Sequence, residues 1–263
     1  MKYDLHVHSV YSDGRLTPSE ICAKVKDAEL DGFALTDHDT VAGLDVAAAA
    51  AKDADLRFIP GIEVSAFDGC EVHILGLNIK HKSHAFLSAL SSVRNIRGSR
   101  NREILKKLAG LGIVITERDI AKDRAGSSGR QSIASAMLSK NYVQSIAEAF
   151  DRYLAEGRPA YCGVVAVPPE KAIALIHAGK GKAFLAHPVR LHLDDESKLC
   201  LAKRLVGIGL DGIEAYYPMQ GEILTGKLLA FAKENKLLLS GGTDNHGSLA
   251  DAPFGNVVCS LPF

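Results

Sequence analysis

Seven short apolar runs recur along the chain, "YDLHVH", "GFALTDHD", "FIPGIEVS", "EVHILGLN", "KAFLAHP", "GIEAYY" and "LLLSGGTDNH", and most stop at a residue able to bind a metal. Their length and the turn residues that bound them read as buried strands. Helical patterns lie between several of them. In "TPSEICAKVKDAELD" Thr17 can cap, Pro18 can open the helix and Glu20 can complete a capping box. Strand alternating with helix restricts the chain to an α/β barrel or an open parallel sheet. One junction breaks the rule: "GIEVSAFDGCEVHILG" leaves no room for a helix and carries Asp68-Gly69, a hairpin signal. The expected barrel is therefore irregular.

A chain of 263 residues with 47% hydrophobic content can bury a full core as one domain, or as one domain carrying an insertion. The stretch from Ser83 to Gly163 reads as that insertion, being helical, polar and rich in arginine. The expected organisation is a first barrel part over 1–82, a helical insertion covering the active site over 83–163, and a second barrel part over 164–263. The alanine run at 47–51 belongs to a helix and carries no function. Charge is balanced, with 31 basic and 31 acidic side chains, so no global field draws the protein to nucleic acid or an anionic membrane. The five cysteines have no metal-finger or redox-motif spacing and read as buried reduced thiols. No secretory pattern or membrane span is visible, so the expectation is a cytoplasmic protein with no obligate protein partner.

In a strand, side chains alternate, so His6 and His8 should share one face while Tyr3, Leu5 and Val7 share the other. Two histidines alone are weak evidence, since most such residues are hydrogen-bonded core. The other strand ends decide. They supply His38, Glu63, His73, His187, Asp244 and His246, with Asp13 following the first strand. On parallel strands most of these groups converge at the C-terminal face of one sheet. Packed together without a cation, such a set stacks carboxylates on imidazoles at high cost, whereas metal ions satisfy all of them. Imidazole and carboxylate without thiolate suit manganese, iron or zinc. Asp37 and Asp39 read as turn residues that orient the His38 ring.

The ordered segments "HVHSVYSDG", "ALTDHDT", "GIEVS", "EVHILG", "AHP" and "GTDNH" resemble the motifs of the PHP family, the polymerase and histidinol phosphatase superfamily of metal-dependent phosphoesterases. Within it the chain looks most like the branch acting on nucleoside 3′,5′-bisphosphates and on the 5′ ends of short RNA. The resemblance implies a distorted seven-stranded (β/α)7 barrel, TIM-barrel-like, with an inserted helical subdomain and a trinuclear metal centre. His6, His8, Glu63 and Asp244 would hold one ion. Glu63, His73 and His187 would hold a second, and Asp13, His38 and His246 a third. Asp13, His38, Glu63, Asp244 and His246 would carry catalysis. The implied activity is phosphoester hydrolysis of a small phosphorylated nucleotide or a short RNA 5′ end through metal-activated hydroxide.

Arg130, Arg158 and Arg190 are candidates for gripping a second phosphate, since guanidinium matches phosphate in two-point contact. Arg94, Arg97 and Arg100 read as a solvated helix face. Gln131 and Ser132 depart from the branch, which usually carries proline or threonine and then histidine there. Three rivals stand beside this reading: a histidinol-phosphate phosphatase, a carbon–nitrogen hydrolase of amidohydrolase type, and a non-catalytic metal-binding nucleotide module. Against the second, no lysine is placed as a bridging ligand, and Glu63 can fill that place.

Overall fold

The computed structural model describes residues 1–120, 130–162 and 167–263, with the side chains of 96–99 and of 131 outside the description. Gln131 and Arg97 therefore lie outside the described side chains. The chain begins β1 (Tyr3–Val7), α1 (Pro18–Asp27), β2 (Gly32–Leu35), α2 (Leu44–Asp53), β3 (Arg57–Phe67) and β4 (Glu71–Leu77). Helices α3 (His84–Gly110), α4 (Arg130–Ser139) and α5 (Ile146–Ala149) come next. The chain then continues through α6 (Pro169–Ala178), β5 (Lys182–Leu185), α7 (Asp195–Gly207), β6 (Gly212–Tyr216), α8 (Glu222–Asn235) and β7 (Leu238–Gly241). The Thr17–Glu20 capping box forms as the sequence predicts, with the Thr17 amide donating to Glu20 Oε2 at 2.7 Å.

The seven strands form one sheet in sequential order. β1–β2–β3 and β5–β6–β7 are parallel, and β4 alone runs against both of its neighbours. The reversal comes from the expected hairpin, where Gly69 takes φ +75° between β3 and β4. The sheet curls into a distorted barrel whose seam is bridged by the segment after β7. Asp244 N donates to His6 O at 2.8 Å and His8 N to Asn245 O at 3.0 Å. That approach requires Gly242, because a Cβ there would lie 2.5 Å from the His6 nitrogen.

One apolar cluster contains residues from strands and the chain just beyond them, among them Tyr3, Leu5, Ala34, Ile59, Leu75, Leu77 and Phe184, and so marks the barrel interior. A larger cluster joins the outer strand faces to the helices. Val7 belongs to this outer cluster although Tyr3 and Leu5 face inward. The expected alternation along β1 is thus broken. Its cause is a register shift between Asp4 and Val7 in the pairing with β2, an extra residue that re-aims the side chains beyond it. Elsewhere the alternation holds and puts Glu63, His73 and Glu214 inward, above the apolar floor, while Val64, Ile74 and Ile213 pack outward.

A third cluster is built of Ile104, Leu108, Ile133, Met137, Leu154 and neighbours in the helical stretch. Helix α3 belongs to both halves, since Phe86, Leu90 and Val93 pack in the outer barrel core and Ile104, Leu105 and Leu108 in the helical one. All five cysteines are free. Cys22 and Cys162 are buried as expected, whereas Cys200 is exposed on α7 because it falls on that helix's solvent side.

Candidate metal centre

The polar ceiling of the barrel gathers all nine residues expected from the sequence, eight of them in three overlapping groups. His6, His8, Glu63 and Asp244, all buried, offer ligand atoms within 4.8 Å of one another. His8, Asp13, His38 and His246 form a second such group, and His38, Glu63 and His73 a third. His187 joins through Glu63, its Nε2 lying 2.8 Å from Oε1.

Glu63 sits at the junction and divides its two oxygens. Oε1 faces His73 Nδ1 at 2.9 Å and His187, while Oε2 faces His6 Nε2 at 3.3 Å, His8 Nε2 at 3.2 Å and His38 Nδ1 at 3.1 Å. Asp244 Oδ1 closes the first group, 3.4 Å from His6 Nε2 and 3.0 Å from His8 Nε2. Asp13 lies at the open edge, its side chain 58% exposed and its oxygens 3.4 to 3.8 Å from His8, His38 and His246.

The backbone is bent to make this convergence. His187 has φ +26° and Asp244 φ +54°, conformations unusual for residues with a Cβ. By simple alternation His187 would join Ala183 and Leu185 on the outer face. The turn at Pro188 redirects it inward. Strain of this kind persists where the surroundings hold it, and functional sites are where it collects.

Does this donor set fit metal ions? His6 Nε2, both His8 nitrogens, His38 Nδ1, Glu63 Oε2, His187 Nδ1 and Asp244 Oδ1 are buried with no hydrogen-bond partner. Buried polar atoms are ordinarily paired, so a concentration of unpaired lone pairs facing one another fits divalent cations. Without cations, protons do the balancing. Burial alone would lower the His8 imidazole, but the Asp244 and Glu63 carboxylates, 3.0 and 3.2 Å from Nε2, outweigh it and lift it to about 10. His73 is likewise lowered by burial and lifted past it to about 10, chiefly by Glu63. His38 goes the other way, to about 3, because burial and the neighbouring histidines prevail over Glu63. Burial pushes the Glu63 and Asp244 carboxyls up, yet the surrounding imidazoles hold both below the usual carboxylate range.

Several residues that support the centre were not singled out in the sequence. Glu214 is fully buried and accepts from His187 N at 2.6 Å, with His6 Nδ1 at 3.1 Å from its other oxygen. This contact puts the His6 proton on Nδ1 and frees Nε2 for the centre. The signal was present, since "GIEAYY" repeats the "GIE" that carries Glu63. Tyr217 OH and Arg190 Nη1 both donate to Asp244 Oδ2, at 3.1 and 2.7 Å, and so leave Oδ1 for the cluster. Asp4, raised by burial to about 6, accepts from Thr243 N and Oγ1 and anchors the strand before Asp244.

Other expectations change. Asp37 accepts from Ser9 N, Ser9 Oγ and Ser12 Oγ at 2.7 to 2.8 Å, and so pins the loop that carries Asp13. Asp39 accepts from Ser65 N and Oγ at 3.1 Å. These bonds pin the loops on either side of His38, the second of them to β3. Arg94 is no solvated charge: its Nε donates to Asp39 O at 3.2 Å and its Nη2 to Thr40 Oγ1 at 2.8 Å, tying α3 to the loop beside His38. Of the three arginines expected at substrate, Arg190 touches the cluster through Asp244. Arg130 lies over the Phe150 and Tyr161 rings, 6.0 Å from each centroid, and Arg158 is exposed.

The chain is similar to known proteins along most of its length. A 5′-3′ exoribonuclease of Haemophilus influenzae is 36% identical over 248 residues, covering 93% of this chain and 90% of that protein. A 3′,5′-nucleoside bisphosphate phosphatase of Chromobacterium violaceum is 32% identical, covering 92% of this chain and 86% of that one. A solved structure from Chromobacterium violaceum, described as an amidohydrolase with bound sulfate and no metal, superposes with a TM-score of 0.79 at 30% identity, covering 100% of this chain and 92% of that one. Residues 4–159 match the PHP domain, and the chain belongs to the PHP domain family.

Proposed function

We propose that this chain is a metal-dependent phosphoesterase that hydrolyses the phosphate on the 3′ oxygen of a 5′-phosphorylated nucleotide, free as a nucleoside 3′,5′-bisphosphate or at the 5′ end of a short oligoribonucleotide. The observation that carries the reading is the set of buried, unpaired donor atoms arranged around Glu63. The two named relatives supply the substrates, and one bond, between phosphorus and the 3′ oxygen, serves both.

The residues divide the work. His6, His8, Asp13, His38, Glu63, His73, His187, Asp244 and His246 would hold up to three ions of manganese, iron or zinc. Bound there, divalent cations offset charge on the phosphoryl oxygens and make water easier to deprotonate near neutral pH. Glu63 fixes the spacing between groups by facing them with different oxygens. Arg190 and Tyr217 hold Asp244 by one oxygen, and Glu214 holds His6 and the backbone of His187. Asp13, His38 and His246 are the more open members and face the reacting phosphate, where Asp13, His38, Glu63, Asp244 and His246 carry catalysis.

The helical stretch 83–163, joined to the site by Arg94, provides the cover and the grip on the 5′ phosphate. Arg130, whose guanidinium lies over two rings, and the exposed Arg158 are the residues proposed for that grip. Glu63, which faces different histidines with its two oxygens, would fill the bridging place for which a carbon–nitrogen hydrolase would need a modified lysine. Five unpaired thiols suit a reducing compartment, and we place the enzyme in the cytoplasm.

The test is a manganese-loaded protein offered adenosine 3′,5′-bisphosphate, a 5′-phosphorylated short RNA and histidinol phosphate. Release of phosphate or of 5′-mononucleotide from the first two is expected. Turnover of histidinol phosphate alone assigns the chain to the rival phosphatase, and no turnover with metal bound leaves the non-catalytic module.

A further inference from the structure

The ligand groups of the centre are not held alike. The side chains of His6, Glu63 and Asp244 are 0 to 2% exposed. The group of His8, Asp13, His38 and His246 draws its last three members from the loops after β1, β2 and β7, and their side chains are 58, 21 and 23% exposed. A ligand on a loop is placed only as well as the loop is. Asp37 pins the Asp13 loop through Ser9 and Ser12, and Asp251 pins the His246 loop by accepting from His246 N and Ser248 N at 2.8 Å. Both tethers are made within the barrel. The loop that carries His38 has one that comes from outside it.

Arg94, on α3, grips the two residues directly after His38. Its Nε donates to the Asp39 carbonyl and its Nη2 to Thr40 Oγ1, an oxygen that also accepts from Ala42 N at 3.2 Å. Asp39 and Thr40 are fully buried, and Asp39 stands at φ +52°, uncommon for a residue with a Cβ. Such a conformation persists where the surroundings fix it from several sides. β3 supplies two of them, since Asp39 N donates to Glu63 O at 2.9 Å and the Asp39 carboxylate accepts from Ser65 N and Oγ. Arg94 supplies a third, on the carbonyl. Turning the peptide between Asp39 and Thr40 would break that contact, so the guanidinium fixes the path of the chain as it leaves His38. The His38 ring reaches Glu63 Oε2 with Nδ1 at 3.1 Å and lies 3.8 Å from Asp13 at Nε2, spacings that a small shift of the loop would open. Arg94 also stands where α3 leaves the barrel: Val93 before it packs in the outer barrel core, and Ile104 beyond it belongs to the helical core.

We propose that Arg94 is a positioning residue for His38, through which α3 sets how firmly the ion within reach of His8, Asp13, His38 and His246 is held. The inference rests on the metal-dependent reading above and concerns retention of the ion rather than turnover. Arg94 acts on His38 through the backbone of Asp39 and the side chain of Thr40. A guanidinium suits the task because its planar fork meets two acceptors in one fixed geometry, which a lysine ammonium does not reproduce. The coupling runs both ways: an ion that holds His38 favours the place of α3 that Arg94 marks, and displacing α3 loosens the ion.

Wild type, Arg94→Met and Arg94→Lys are loaded with manganese and stripped stepwise with a chelator, and the equivalents released are counted. His38→Ala marks which equivalent belongs to the outer group. In Arg94→Met that equivalent should be held about tenfold more weakly, the lower end of the range for losing a partner outside the ligand set, while the others stay within about twofold. Arg94→Lys keeps the charge without the fork and should lose about threefold; it carries the comparison if the Met variant does not fold. At saturating manganese, kcat of Arg94→Met on adenosine 3′,5′-bisphosphate should return to within about twofold of wild type. Unchanged manganese affinity, an equal loss at every equivalent, a loss at an equivalent that His38→Ala leaves alone, or a low kcat that excess manganese does not restore would each overturn the proposal. A wild type that binds manganese without turnover fails the phosphoesterase reading, and the release measurement still decides the role of Arg94. A wild type that binds no manganese takes both down.

Discussion

Glu214→Gln isolates the support of the centre from its ligands. The carboxylate is fully buried and receives two donors, the His187 amide at 2.6 Å and His6 Nδ1 at 3.1 Å. Glutamine keeps the shape but loses the charge and one acceptor oxygen; His6 Nδ1 lies 3.1 and 3.2 Å from the two carboxylate oxygens and His187 N binds only one of them, so the contact that weakens is that of His6 or that of His187. If it is His6, the ring loses the partner that keeps its proton on Nδ1. If it is His187, a backbone already at φ +26° loses its tether. Either way one charge-assisted hydrogen bond disappears in a dry site, worth about 1.5 to 3 kcal/mol. Metal affinity should then fall about tenfold to a hundredfold, the range expected when a partner outside the ligand set is removed. The assay is competition against a chelator, read as metal content, alongside thermal melts of the chelated protein to show that the fold survives. Unchanged metal affinity in a folded Gln variant would refute the role given to Glu214.

Tyr217→Phe removes the weaker of two donors on Asp244 Oδ2 and leaves Arg190, so metal affinity should drop by only about threefold to tenfold. A larger loss than in Glu214→Gln would contradict that ranking. The chelated protein should lose stability as pH rises. His8 and His73 have folded values near 10 against 6.5 in the unfolded chain, so their stabilisation is complete below pH 6.5 and gone by about pH 10. His38, depressed to about 3, is neutral throughout that window and does not oppose the trend. In metal-loaded protein the protons are displaced, and melting temperature should stay nearly level over the same range; parallel curves would count against it. Asp244→Asn or His8→Ala should abolish turnover while the fold survives, and near wild-type rates with metal bound would sink the ligand assignment.

The sequence by itself determined the elements and the chemistry. Apolar runs of strand length, a capping box at Thr17 and a hairpin at Asp68-Gly69 fixed where strands, helices and the one reversed strand fall, because these signals are local. A histidine or carboxylate at the end of strand after strand announced a metal centre, because parallel strands bring their C-terminal ends together. Tertiary structure decided what depends on distant contacts. The register shift in β1 separates Val7 from Tyr3 and Leu5, and it arises from pairing with β2, which no alternation within β1 can reveal. Glu214 became a support because it lies under both His6 and His187, 208 and 27 residues away. Arg94 looked like surface charge on a helix taken alone and became a tie once the loop of Asp39 and Thr40 was beside it. His187 and Asp244 reach the centre through positive φ angles that neither residue type favours, and only the surrounding packing holds them there.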